Sequence, residues 1–214
     1  MGDPIPIKFI SLGLKPFSET FQLQLELRRQ RQAGAIPDTL LSVEHPKVIT
    51  RGRRPSEEDF KIPPEQLRQQ GYEVEDAGRG GRLTYHGPGQ LVAYFILSLK
   101  DRRLSVPQFV GRVEQALIHT LAAFGIVASR REGYPGVWVQ NRKIASVGFA
   151  VDRGVSMNGI ALNVDPDLKD FEVIIPCGIP DCKMTSMRQE AGQDFSLREV
   201  EGVLVDTVVK LFEA

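Results

Sequence analysis

Two residues stand out for the chemistry their settings could allow: the thiol of Cys177, a candidate nucleophile, and the amine of Lys143, on a strand face that reads as apolar. Cys177 lies in Ile174-Ile175-Pro176-Cys177-Gly178-Ile179, between a ring that fixes φ and a residue free to take any φ. Such a turn holds a side chain still and leaves backbone N–H groups beside it. Those groups can stabilise a thiolate and the oxyanion that forms when it attacks a carbonyl. Free cysteines are also common packing residues, so the hexapeptide alone leaves both readings open. Lys143 begins the run Lys143-Ile144-Ala145-Ser146-Val147-Gly148-Phe149. With period-two alternation its side chain leaves the same face as Ala145, Val147 and Phe149, where loss of hydration favours the neutral amine. The alternative is a lysine at a strand end that reaches out to water.

A third stretch, running from Gly78 to Gln90 as GRGGRLTYHGPGQ, joins two glycine turns through a short strand. Its open backbone, flanked by Arg79, Arg82, Thr84, Tyr85 and His86, suits the close approach of a ligand, and equally suits a turn-rich hairpin. It is neither GxxxxGK[ST] nor GxGxxG opening a helix, so the common nucleotide loops are not supported.

The elements that must position these groups can be read in order. Residues 8–12 read as a strand, and 16–32 as a helix with Phe17, Phe21 and Leu25 on its apolar face. Residues 39–43 and 47–50 read as short strands, 63–70 as a short helix closed by Gly71, and 72–74 as a strand. LVAYFILSL at 91–99 is too densely apolar for a half-exposed strand and reads as a central one. Ser105 with Gln108 forms a capping box for a helix running to Gly125. Residues 136–140 and 143–151 read as a hairpin, 155–164 as another strand, and Ser196 caps a C-terminal helix. Helices separated by runs of strands point to α+β: a mixed β-sheet with flanking helices, in one domain over 1–214.

The bulk composition narrows the function classes. The chain has 214 residues, 42% hydrophobic, and its 27 basic and 27 acidic side chains cancel, giving no argument for nucleic acid or an anionic membrane surface. Arginines cluster at 28–31, 51–54 and 102–103, a pattern that suits carboxylate or phosphate partners, although solvated surface charge is the simpler reading. No secretion signal or long apolar span is evident, so a cytoplasmic location is expected. Two cysteines, Cys177 and Cys182, are too few for a disulfide framework, and neither has metal-ligand spacing to His45, His86 or His119. No metal is expected.

Together these pieces resemble the lipoyl(octanoyl) transferases. The resemblance runs from His45-Pro46, Thr50 and Gly52-Arg53 through RGGRLTYHGPGQL, Gly136-Val137-Trp138 and Lys143-Ile144 to Ala161-Leu162-Asn163, Asp167-Leu168, Phe171 and Pro176-Cys177-Gly178. It implies the fold of the biotin and lipoate protein ligases, of class II synthetase type. It implies transfer of an octanoyl group from octanoyl-acyl carrier protein, without a cofactor. The acceptors would be lysines of lipoyl domains in 2-oxoacid dehydrogenase complexes and in the glycine cleavage H protein. By this resemblance Cys177 is the nucleophile and Lys143 the group that activates it. Arg79, Gly80, Gly81, Arg82, Leu83, Thr84, Tyr85, His86, Ser146, Val147, Gly148, Gly159, Ile160 and Ala161 would line the acyl and donor pocket, with Leu83, Tyr85, Val147 and Phe149 forming its apolar tunnel. One position departs from the family pattern: Asn158 stands where a histidine usually precedes Gly159, and it is expected to position groups rather than to move protons. The rival readings are an ATP-dependent lipoate or biotin ligase of the same fold, and a non-catalytic acyl or carrier-protein binding module.

Overall fold

The apolar run at 91–99 lies at the centre of the protein in a computed structural model, which describes residues 5–179 and 182–213 and, at Cys177, the backbone alone. In chain order the elements are β1 (Ile7–Leu14), α1 (Phe17–Gln32), β2 (Asp38–Glu44), β3 (Val48–Arg51), α2 (Pro64–Gln69), β4 (Glu73–Asp76), β5 (Leu83–His86) and β6 (Gln90–Ile96). There follow α3 (Val106–Ala123), β7 (Ser129–Arg131), β8 (Tyr134–Val139), β9 (Arg142–Asp152), β10 (Val155–Asn163), β11 (Lys183–Met184), α4 (Met187–Ala191) and α5 (Leu197–Glu213). The large sheet runs β1-β2-β6-β10-β9-β8-β7, with β11 added beside the start of β9, and a small sheet runs β4-β3-β5. Both sheets mix parallel and antiparallel pairs, as an α+β fold does.

Every residue of β6 is buried because both faces of the large sheet are covered. Leu91, Ala93, Phe95 and Leu97 face the core under α3 and α5, while Val92 and Tyr94 pack with Leu41 and Val43 on the side of α1. Leu83 and Tyr85 of β5 belong to a separate core with Ile49, Leu67, Phe171 and Ile174. The strands at 39–43 and 47–50, adjacent in sequence, are thus in different sheets, and His45-Pro46 marks the crossing.

Helix α1 packs the face read as apolar, Phe17, Phe21 and Leu25, against the core, and buries polar residues beside it. Its buried line is Phe17, Thr20 and Gln24, flanked by half-buried Phe21 and Leu25. Gln24 is tolerated there because its Oε1 accepts the backbone N–H of Asn158 at 2.9 Å. The arginine clusters also turn partly inward. Asp38, fully buried, accepts from Arg31 Nε at 2.6 Å, Arg102 Nε at 2.5 Å and the Ser98 N–H at 2.9 Å. Arg102 then donates to the carbonyls of Ile5 and Phe212, tying both ends of the chain to the sheet. The capping box is present: Ser105 and Gln108 bond each other's backbone N–H at the start of α3. Among the described residues no helix is long and apolar enough to cross a membrane.

Candidate active site

A cavity of about 510 Å³ opens between β9 and β10, the glycine loop before β5, the start of β8 and the first turn of α3. Residues 79–82, 84, 86, 143, 146–148 and 159–161 all line it, so segments distant in sequence share one space. Leu83 and Tyr85 do not. The alternation of β5 turns them into the core of the small sheet, where the Tyr85 hydroxyl donates to Asp170 at 2.7 Å, and the tunnel expected of them is corrected accordingly. Phe149, Val106 and Val110 supply apolar surface in the cavity, together with Val147.

Lys143 is 1% exposed and lines this cavity. Strict alternation with Ala145 does not hold. The register of β8 against β9 slips from Val137↔Ala145 to Trp138↔Lys143, leaving Ile144 as an extra residue. Ile144 and Ala145 both enter the main core as a result, and Lys143 alone turns to the cavity. Gly136, at φ 124°, makes the passage: a Cβ there would lie 2.7 Å from Lys143 Cε. The lysine Nζ stands 5.5 Å from the centroid of the buried Trp138 ring. Its backbone is held on both edges, by Trp138 of β8 and Met184 of β11.

The thiol side is built differently. Cys177 lies in the 3-10 turn Pro176–Gly178, and Gly178 and Ile179 line the same cavity as Lys143. The Cys177 side chain, expected as the nucleophile, lies outside the described residues, as does its distance to Lys143. The turn is anchored by the Ile175 N–H donating to the Asp59 carbonyl at 2.7 Å. Asp59, 2% exposed, also accepts from Arg82 Nε at 2.6 Å. Arg82 crosses Gly178 so closely that a Cβ there would fall 2.2 Å from its Cδ.

The glycine loop owes its shape to Arg79, whose guanidinium donates to the carbonyls of Thr50, Gly80 and Arg82 and to the Thr50 hydroxyl, at 2.8–3.0 Å. Two buried histidines pack edge to face here, His86 in the cavity lining and His45 next to it, with ring centroids 5.9 Å apart. His45 Nδ1 faces the Lys15 carbonyl at 2.7 Å, which can only accept, so Nδ1 carries the proton and Nε2 accepts from the Tyr94 hydroxyl at 2.7 Å. Burial pushes His45 down to about 4. Burial, with smaller effects of His45 and Arg79, pushes His86 down to about 3. Both rings are neutral at neutral pH. Asn158 sits at φ 64° with its Nδ2 donating to the Ala77 carbonyl at 3.2 Å, a positioning contact in the cavity wall. Among the described residues no three His, Cys, Asp or Glu side chains group as metal ligands.

Glu114 was not anticipated from the sequence. It is a carboxylate on the buried face of α3 between Val113 and Leu117, and its Oε1 accepts the Gly136 N–H at 3.0 Å. The legible signal was a charge in an apolar helical stripe.

The two-sheet architecture is that of the lipoate and biotin protein ligases. A bi-partite lipoate protein ligase from Thermoplasma acidophilum superposes with a TM-score of 0.76 at 17% identity, over 97% of this chain and 84% of that one. A biotin protein ligase from Aquifex aeolicus gives 0.59 at 18% identity, over 96% of this chain and 70% of that one. In sequence, residues 16–209 match the lipoyl protein ligase A/B catalytic domain. An octanoyltransferase from Maridesulfovibrio salexigens is 39% identical over 96% of both chains. One from Syntrophobacter fumaroxidans is 42% identical over 95% of this chain and 90% of its own. The chain belongs to the lipoyl protein ligase A/B catalytic-domain family and groups there with the octanoyltransferases. It is an acyltransferase.

Proposed function

We propose that the chain, acting as one catalytic domain, moves an octanoyl group from octanoyl-acyl carrier protein to a lysine of a lipoyl domain through a Cys177 thioester. The observation that carries this reading is that a buried lysine and Gly178, the residue after Cys177 in the Pro176–Gly178 turn, line one cavity. Lys143 takes the proton of the Cys177 thiol, and the thiolate attacks the donor thioester carbonyl while backbone amides hold the oxyanion. Collapse expels the carrier thiolate, which recovers a proton from Lys143. The acceptor lysine, arriving as a free amine, then attacks the acyl-enzyme, Lys143 takes its proton, and the Cys177 sulfur leaves. The amide product is more stable than the thioester, so no ATP is consumed. The apolar surface of Val106, Val110, Val147 and Phe149 suits a medium-length acyl chain and keeps water from the thioester.

The test is to mix the protein with octanoyl-acyl carrier protein and an apo lipoyl domain without nucleotide, and to follow the lipoyl domain by intact mass. Octanoylation in the absence of ATP is expected. A strict requirement for ATP, with pyrophosphate released, would reassign the site to ligase chemistry.

A further inference from the structure

Strand β8 loses its register on both edges: against β7 between Ser129 and Arg131, and against β9 between Val137 and Trp138. Gly136 lies inside the irregular stretch against β7 and one residue before the slip against β9. Its N–H is satisfied by Glu114 Oε1 at 3.0 Å, from a carboxylate 8% exposed on α3. The other oxygen of Glu114 meets Arg130 Nε at 3.2 Å, and Arg130 also donates to the Gly111 carbonyl and to Gln115 of α3. On its opposite side Gly136 is in contact with the stem of Lys143, where an added Cβ would lie 2.7 Å from Cε, 3.4 Å from Nζ and 2.5 Å from the Ala145 carbonyl oxygen.

We propose that Glu114 is a positioning residue that sets the place of the Lys143 amine in the cavity through the backbone of Gly136. The inference rests on the reading that Lys143 serves Cys177. Glu114 stands on the buried stripe of α3 between Val113 and Leu117; one of its oxygens pairs with Arg130, and the other accepts, among the described residues, the N–H of the residue the lysine stem passes. Without that acceptor the Gly136 N–H must turn toward another partner, and the channel holding the lysine stem turns with it. Glu114 touches neither thiol nor acyl group in this account. It acts through Lys143.

Two substitutions of similar length separate the roles: Glu114→Gln keeps an oxygen for the Gly136 N–H, and Glu114→Met does not. In the full-length protein, with folding checked by thermal melting, Glu114→Met is expected to lower kcat by about 10- to 100-fold with KM for octanoyl-acyl carrier protein little changed, the scale of a misplaced catalytic group. The rate of Cys177 alkylation by iodoacetamide at neutral pH should fall in parallel. Glu114→Gln should recover most of both. With Lys143→Ala already present, adding Glu114→Met should have no further effect on alkylation. If Glu114→Met does not fold, Glu114→Ala is read in the same way. Wild-type kcat and alkylation in a folded Glu114→Met or Glu114→Ala protein, while Lys143→Ala is inactive, would overturn the proposal. An equal loss in Glu114→Gln, or a further loss on top of Lys143→Ala, would also overturn it. A fully active Lys143→Ala protein would instead overturn the proposed mechanism itself.

Discussion

The cavity has two working walls, and they are held by different forces. On the lysine wall, Lys143 is a strand residue with sheet partners on both sides, its stem enclosed and its neighbours in the main core. On the thiol wall, the backbone of Cys177 lies in a 3-10 turn whose anchors among the described residues include the Ile175 N–H bond to the Asp59 carbonyl and the Arg82 side chain crossing Gly178. Sheet bonds and close packing permit few local adjustments, whereas a turn outside the sheets depends on side chains and loop backbone to hold it. The difference teaches that the lysine wall is the rigid reference of the cavity, while the Pro176–Gly178 turn is the wall that, among the described residues, lies outside both sheets.

The largest effect is expected from the fixed wall. Lys143→Met should keep the fold, since the new side chain suits the same enclosed channel, and should lower the transfer rate by about 10²- to 10⁴-fold, the range for losing a general acid–base group. Stopped-flow or mass-spectrometric transfer assays would measure it. A loss of less than tenfold would leave the lysine wall without its assigned purpose.

A paired glycine experiment sharpens the comparison. Gly136→Ala places a methyl group 2.5 Å from a backbone oxygen at φ 124°, and should cost about 3 kcal/mol. Gly178→Ala, at φ 66°, meets the Cδ, Nε and Cζ of Arg82 and no backbone among its nearest atoms; this side chain is 36% exposed and can give way at the expense of its ion pair with Asp59, so the change should cost about 2 kcal/mol. Urea unfolding of both proteins decides the order, and the reverse order would show that the thiol turn is the more rigid wall.

Acid should act on the two buried histidines. His45 falls from 6.5 to about 4 and His86 from 6.5 to about 3 on folding, so the folded state resists a proton that the unfolded chain accepts. Their contribution is complete above about pH 6.5 and is lost as pH falls toward 4 and 3, by up to about 1.4 kcal/mol per pH unit for each ring. Stability measured by denaturant between pH 7 and 4 should decline along that window, and His45→Gln should flatten the decline. A slope unchanged in that variant would place the acid sensitivity elsewhere.

The smallest effect is expected at Asn158. Its backbone bond to Gln24 and its side-chain bond to Ala77 hold the cavity wall. Asn158→His should alter the transfer rate by less than about tenfold, or 1.4 kcal/mol of barrier. A larger rise would mean that a proton carrier is missing there.

Much of the fold could be read from local pattern. The central strand at 91–99, the capping box at Ser105 and the glycine loop depend on residues close in sequence, and each is where its pattern puts it. What escaped depends on distant partners. The division of β2 and β3 between two sheets is decided by what each meets across the fold, since both read locally as short strands with buried apolar positions. The orientation of Lys143 follows from one extra residue in a ladder, invisible to a period-two reading. The resemblance extends the pocket lining unbroken from Arg79 to His86, whereas the alternation of β5 sends Leu83 and Tyr85 to the other core. Glu114 carries no motif, and its purpose emerges only when the N–H it accepts is known.

The most direct measurement is intact mass of the protein after exposure to octanoyl-acyl carrier protein alone, for the wild type and for Cys177→Ser, before and after hydroxylamine. The account predicts one octanoyl adduct on the wild type, removed by hydroxylamine, and none on the variant. An adduct of equal yield on Cys177→Ser would contradict it.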